Sequence, residues 1–207
     1  MASANGFLEI VDFLSDLVSD INCQTRMDEY TALHFAVLKG ESLGIVRRLL
    51  ASGADPLLQH HDCGCALLYV CGRDNVALFE EFALCGDERI MRAAFSYSVF
   101  FGCVGIFSRC IELGIDINSL STISYFLRPI SLVSHGSEFE DGEVISAEGM
   151  PALHVAASRG HLVIVDKLIE LGADASARDF RGKTPLDYAI QFDQEEVIKR
   201  LQDKLKV

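Results

Sequence analysis

The densest set of reactive side chains is His60-His61-Asp62-Cys63-Gly64-Cys65. Imidazole nitrogen and thiolate sulfur are zinc ligands, and a short loop can fold around an ion. The spacing argues against that use. One residue between the cysteines is not the two-residue gap of a zinc finger, and no second Cys/His pair follows at finger distance. No metal and no cofactor is therefore expected. A nucleophilic enzyme needs Ser or Cys beside His and a carboxylate on a strained turn. Gly102-Cys103-Val104-Gly105 is a helix junction by register and no phosphate loop. The chain reads as a non-enzyme.

The second chemistry is recognition. Phe95, Tyr97, Phe100, Phe101, Ile106 and Phe107 form an unusually dense apolar cluster. Aromatic and arginine side chains dominate the energy of protein interfaces. What such residues can do depends on the elements that hold them, and those elements repeat. Residues 31–57 read TALHFAVLKGESLGIVRRLLASGADPL, and residues 151–177 read PALHVAASRGHLVIVDKLIELGADASA. A further unit opens TPLDYAI at Thr184, 33 residues after Pro151. A period in the low thirties with a T-x-L-H opening, a central Gly and a closing G-A-D is the mark of a helical solenoid. The chain resembles the ankyrin repeat family. The resemblance is strong at 28–57 and 149–190 and weaker between them.

The resemblance implies an all-α solenoid of about six units with short hairpin loops and one long irregular insertion. Equivalent positions fall at Thr31, Cys65, Ala93, Arg128, Pro151 and Thr184, in steps of 34, 28, 35, 23 and 33 residues. The expected division is a half unit at 6–22, repeats at 26–57, 60–88 and 89–118, an irregular unit at 119–148, a repeat at 149–178 and a capping repeat at 179–207. On these marks the array is expected to be complete. Thr31 can cap a first helix, and Thr184 is followed by Pro185 at the first helical position. The 28-residue step predicts that the loop before Ala93 is largely gone. In the second unit one residue reads as missing before Val76. The segment Gly136–Ser146 is polar and acidic and reads as an exposed loop, either functional or merely mobile. His34 and His154, by the resemblance, hydrogen-bond backbone between units and are structural.

Composition is consistent with a binding array. Half the residues are apolar, so a continuous core can be filled. The net charge of −12 argues against a nucleic-acid partner and suits a protein with a neutral or basic surface. No stretch is long and apolar enough for membrane insertion. Seven cysteines, an odd number without framework spacing, point to reduced thiols. The expected setting is the cytoplasm, with the nucleus also open.

The resemblance implies binding through the concave groove and the hairpin tips, as an adaptor, inhibitor or assembly factor. The groove positions are the two residues before each inter-helix turn. They are Leu38 and Lys39, then Arg73, then Phe100 and Phe101, then Arg159, then Phe192. Phe100 and Phe101 have two readings, groove anchors or rings buried by a shifted helix. The tips offer Tyr30 in the first unit and Phe180 and Arg181 in the last. The alternative is a pocket for a small apolar ligand, or a catalytic cavity, in the degenerate centre near Tyr97, Tyr125, Arg128 and His135.

Overall fold

The computed structural model describes residues 11, 19–40, 43–61, 64–119 and 149–206. Arg128, Tyr125, His135 and the acidic loop lie outside the described residues. The described chain is helical with no strand. Its one β-bridge, Gln59 to Cys65, closes a hairpin loop. Two compact units are present, one up to Ile90 and the other from Met91 onward.

In the first unit, α1 (Ala32–Phe35) continues into a π-helical turn over Ala36–Gly40 and is followed by α2 (Leu43–Ala51). Then come α3 (Ala66–Gly72) and α4 (Val76–Ala83). Thr31 opens α1 by a reciprocal cap. Its hydroxyl accepts from the His34 N–H, and His34 Nδ1 accepts from the Thr31 N–H at 3.1 Å. Two orphan donors are satisfied at once. Cys65 takes the same position before α3 but makes no side-chain cap. Leu33, Val37, Ile45, Val46, Leu49, Leu67, Phe79 and Phe82 form the core.

The spacing in this unit corrects the reading of the second repeat. From Cys65, Ala93, Pro151 and Thr184 the second helix begins eleven residues later, at Val76, Val104, Leu162 and Glu195. From Thr31 it begins twelve later, at Leu43. The second repeat therefore has the common length, and the first carries one extra residue. A single residue inserted in an α-helix widens one turn to the π form, which is the turn seen at Ala36–Gly40.

The second unit holds α5 (Glu88–Phe101, whose first turn belongs to the first unit), α6 (Val104–Glu112), α7 (Ala152–Ser158), α8 (Leu162–Glu170), α9 (Pro185–Gln191) and α10 (Glu195–Leu205). The length of α5 explains the short step before it. Loop residues have been replaced by an extra helical turn. Phe95 stacks on Phe107, with ring centroids 5.6 Å apart. Val99, Ile106, Leu153, Ile164, Val165, Leu168, Tyr188, Val197 and Leu201 complete the core. Thr184 and Asp187 form a second reciprocal cap, with Pro185 at the first helical position.

The order of neighbours in this unit differs from the sequence register. The repeat that opens at Ala93 packs directly on the one that opens at Pro151, 58 residues on. His161 Nε2–H donates to the Phe100 carbonyl at 2.9 Å, and Lys167 Nζ donates to Ser108 Oγ at 2.5 Å. These two repeats are immediate neighbours. The irregular unit expected at 119–148 lies, from residue 120 on, outside the described residues.

Candidate functional site

The inter-helix turns decide where the groove positions go. In four of the repeats the backbone enters the left-handed region nine residues after the helix opening. Gly102 (φ 78°) and Gly160 (φ 75°) do so without strain, and Asp74 (φ 49°) and Asp193 (φ 54°) fill the same position. Asp tolerates this region better than most side chains. The turn residues confirm the register of the third repeat. Phe100 and Phe101 close α5 just before Gly102, as Arg159 follows α7 just before Gly160.

Gly102 does more than turn the chain. A Cβ at this position would lie 2.6 Å from Nδ1 and 2.7 Å from Cε1 of His161. The bare glycine is the seat for that ring, and the ring's Nε2–H then reaches the Phe100 carbonyl. The same device recurs one repeat on, where Gly160 seats Gln194. Burial pushes the His161 pKa down, the Phe100 carbonyl opposes this, and Arg159 pushes it further down. The ring is therefore a neutral donor.

With His161 seated, Arg159 lies over Phe100, its guanidinium carbon 4.2 Å from the ring centroid. Phe100 meets Phe101 edge to face, with centroids 5.2 Å apart and planes at 88°. All three side chains are half-buried, neither sunk in the core nor standing free. Burial pushes the Arg159 pKa below the usual guanidinium value. A cation on an aromatic face in a partly dry setting is held in place as well as attracted.

The remaining groove positions lie elsewhere. Arg73 follows α3 in the first unit. It is exposed, and its Nη1 donates to the Val37 carbonyl at 3.2 Å. Leu38 is half-buried in the π-helical turn that also contains Lys39. Phe192 is half-buried after α9. At the tips, Phe180 is 66% exposed with Arg181 5.1 Å above its ring. Tyr30 differs from the sequence expectation of an exposed anchor. It is half-buried, its ring 4.5 Å from His60 and 5.5 Å from both His34 and Phe35.

His60 is part of that packing. It is buried, stacks on Tyr69, and its Nε2 lies 2.6 Å from the Tyr69 hydroxyl. Asp62 and Cys63 lie outside the described residues. Among the described residues no three metal-ligating side chains converge. Of the side chains expected about a central pocket, Tyr125, Arg128 and His135 lie outside the described residues. The shallow recess in the second unit is walled by Phe95, Ser96, Val99, Ser119, Ala152 and Val155, without Phe100 or Phe101.

The family model for ankyrin repeats in many copies matches residues 144–189, and that for the single ankyrin repeat matches 28–61. The ankyrin repeat domain of Bcl-3 superposes with a TM-score of 0.70 at 19% identity, covering 98% of this chain and 83% of that one. This chain is an ankyrin repeat protein. A Caenorhabditis elegans homolog of transient receptor potential cation channel subfamily A member 1 is 28% identical over 96% of the chain. The Drosophila melanogaster NF-kappa-B inhibitor cactus is 29% identical over 75%. The chain spans 15% and 27% of the lengths of these two relatives. Ankyrin repeats make it a protein–protein interaction module, on a fold that is typically a non-enzymatic scaffold. No helix among the described residues is long and apolar enough to cross a membrane.

In this ankyrin chain the T-x-L-H histidines are structural. His154 Nε2–H donates to the Lys183 carbonyl of the next repeat at 3.0 Å. The corresponding carbonyl for His34 is that of Gly64. It favours the charged imidazole, but too weakly to offset burial and the charge of His60, which hold the His34 pKa down at about 4. His34 Nε2 is buried without a hydrogen-bond partner, so the expected bond to backbone of the next repeat is seen for His154 and not for His34. Sequence reasoning misses His161 and Gln194, the residues that plug the turns. Their one signal is position, directly after the left-handed residue of each turn. It also misses Asp179, which anchors the last hairpin by accepting from the Tyr188 hydroxyl at 2.6 Å.

Proposed function

We propose that this ankyrin array binds a protein partner through the face built by Phe100, Phe101 and Arg159. The single observation that carries the reading is the stacked arginine. Arg159 is fixed over Phe100, and Phe101 is turned edge-on beside it. Prepaid side-chain ordering is what distinguishes a hot spot from a merely apolar surface. Leu38, Lys39 and Arg73 stand at the corresponding repeat positions within the first unit, and Phe192 at that of the last repeat. Phe180 and Arg181 add the last hairpin tip, whereas Tyr30 at the first tip is packed against His60. The partner is a protein whose surface is largely neutral or basic, because the chain carries a net charge of −12. An adaptor, inhibitor or assembly factor inside the cell is the role proposed, and the name of the Drosophila relative states an inhibitor's role.

The test pairs two measurements on Phe101→Ala. Partner affinity should fall by about 2 kcal/mol or more, and the melting temperature should change little. The partner is obtained by pull-down with wild type against a Phe100→Ala/Phe101→Ala variant. Normal binding with a much lower melting temperature would make Phe101 a core residue and remove the groove reading.

A further inference from the structure

The net charge is not spread along the chain. Residues 149–207 hold nine Lys/Arg and nine Asp/Glu, so all of the acidic excess lies before them. Within this neutral stretch, the last hairpin tip is locally basic. Arg178, Arg181 and Lys183 surround Phe180, while the corresponding first tip reads Arg26-Met27-Asp28-Glu29. The one acid inside the last tip faces inward. Asp179 Oδ1 accepts from the Arg181 and Lys183 N–H groups at 2.9 Å each, and Oδ2 accepts from Tyr188. Asp187, the nearest acid on α9, is engaged by the Thr184 backbone and hydroxyl.

The tip is also rigid. Asp179 N–H donates to the Lys183 carbonyl at 3.0 Å, and Gly182 N–H to the Asp179 carbonyl at 2.9 Å, across a left-handed Gly182. Arg178 Nη1 donates to the Gly182 carbonyl at 2.7 Å. Lys183 Nζ sits 5.3 Å above the Tyr188 ring and donates to Gln191 Oε1. Arg181 lies over Phe180. Arg181 is thus held over a phenyl ring that is two-thirds exposed, with Arg178 and Lys183 tied down in the same hairpin, and no packing in the fold accounts for that exposure.

We infer that the tip Arg178–Lys183 docks a partner segment that presents carboxylates on either side of an apolar side chain. The apolar side chain covers Phe180, and the carboxylates meet Arg181 and Arg178. Complementary charge at such a rim sets encounter rate and orientation, and the fixed geometry lowers the ordering cost. The inference rests on the protein-binding reading above. It differs from it in specifying an acidic contact on a partner whose surface is otherwise neutral or basic.

The experiment uses the full chain, isotope-labelled for NMR, and two synthetic peptides of alternating Leu-Glu and alternating Leu-Lys. The Leu-Glu peptide should shift the amides of residues 178–183 and weaken as salt rises. Arg181→Glu/Lys183→Glu should weaken it by about tenfold and turn the preference toward Leu-Lys. Phe180→Ser should weaken it with the charges intact. An unchanged melting temperature separates these effects from unfolding, and Arg178→Glu, outside the Asp179 bonds, gives a second check. Equal shifts with both peptides, or shifts elsewhere, overturn the inference. So does a response to short single-stranded DNA that ignores Phe180→Ser, which would mark a general anion site. Self-association abolished by the charge reversal would make the occupant a second copy and also overturn it. With the captured partner, loss of binding in Phe100→Ala but not in the tip variants sinks this inference alone. Indifference to both sets sinks both readings.

Discussion

Replacing Gly102 with Ala tests the geometry on which the proposed site depends. Two costs combine. The backbone at φ 78° is left-handed, which costs a non-glycine residue about 1–2 kcal/mol, partly offset by a less flexible unfolded chain. The new methyl would also sit 2.6 Å from the His161 ring, so the ring must leave its seat. Its bond to the Phe100 carbonyl is then lost, at about 1 kcal/mol, together with some packing. The expected total is about 2–4 kcal/mol. Gly114 supplies the control. It has φ 86°, and a methyl there would meet nothing within 4 Å, so Gly114→Ala carries the backbone cost alone, about 1 kcal/mol. Urea denaturation of the two variants gives the difference directly, provided the slope is unchanged. In a His161→Ala background, Gly102→Ala should fall to the Gly114 value, a coupling of about 1–3 kcal/mol. Equal costs for Gly102→Ala and Gly114→Ala in the wild-type background would refute the seating of His161.

Acid should weaken the first unit. His34 is held neutral with a pKa of about 4, below its unfolded value of 6.5, so the unfolded chain binds more protons between them. Stability therefore falls as the pH drops from about 6.5 toward 4, by at most about 1 kcal/mol per pH unit, and His34→Asn should flatten that dependence in urea midpoints. The Arg47–Glu81 pair joins α2 and α4 through two bonds of 2.8 and 2.6 Å, with Glu81 7% exposed and Arg47 68% exposed. Arg47→Ala should lower the thermal or urea midpoint by leaving a covered carboxylate unpaired, and Arg47→Ala/Glu81→Gln should recover part of it.

The repeat itself is readable because its signals are local. Thr31 and Thr184 announce caps, and Pro185 and the apolar spacing of α2 and α8 announce helices, all within one turn or two of chain. The lengths of the first and second repeats are harder to read, for a physical reason. An extra residue can be absorbed within a helix as a π turn, and sequence spacing alone does not say which repeat is the standard. The direct packing of the Ala93 repeat on the Pro151 repeat is hidden because closing a long excursion costs little more than closing a short one. Sequence distance is then a poor guide to adjacency. Phe100, Phe101 and Arg159 are readable as a position, two residues before a turn. Their contact is not, since it joins side chains of two repeats 58 residues apart in sequence. The burial of Tyr30 is equally illegible, because its neighbour His60 lies 30 residues on and is brought to it by the hairpin.

The proposed binding face and the repeat stack share one residue, and this makes them separable. Phe100 offers its ring to Arg159 and its carbonyl to His161. Phe100→Ala removes the ring and leaves the carbonyl, so the repeat junction keeps its hydrogen bond while the guanidinium loses its platform. His161→Ala does the reverse. It empties the seat on Gly102 and frees the Phe100 carbonyl while leaving both aromatic rings in the chain. If the aromatic face carries binding, Phe100→Ala should lower partner affinity more than it lowers stability, and His161→Ala should lower stability more than affinity. Paired melting and affinity measurements on the two variants decide this. A parallel loss of affinity and stability in both would mean that the rings act only by holding the repeats together, and that the partner is recognised elsewhere on the array.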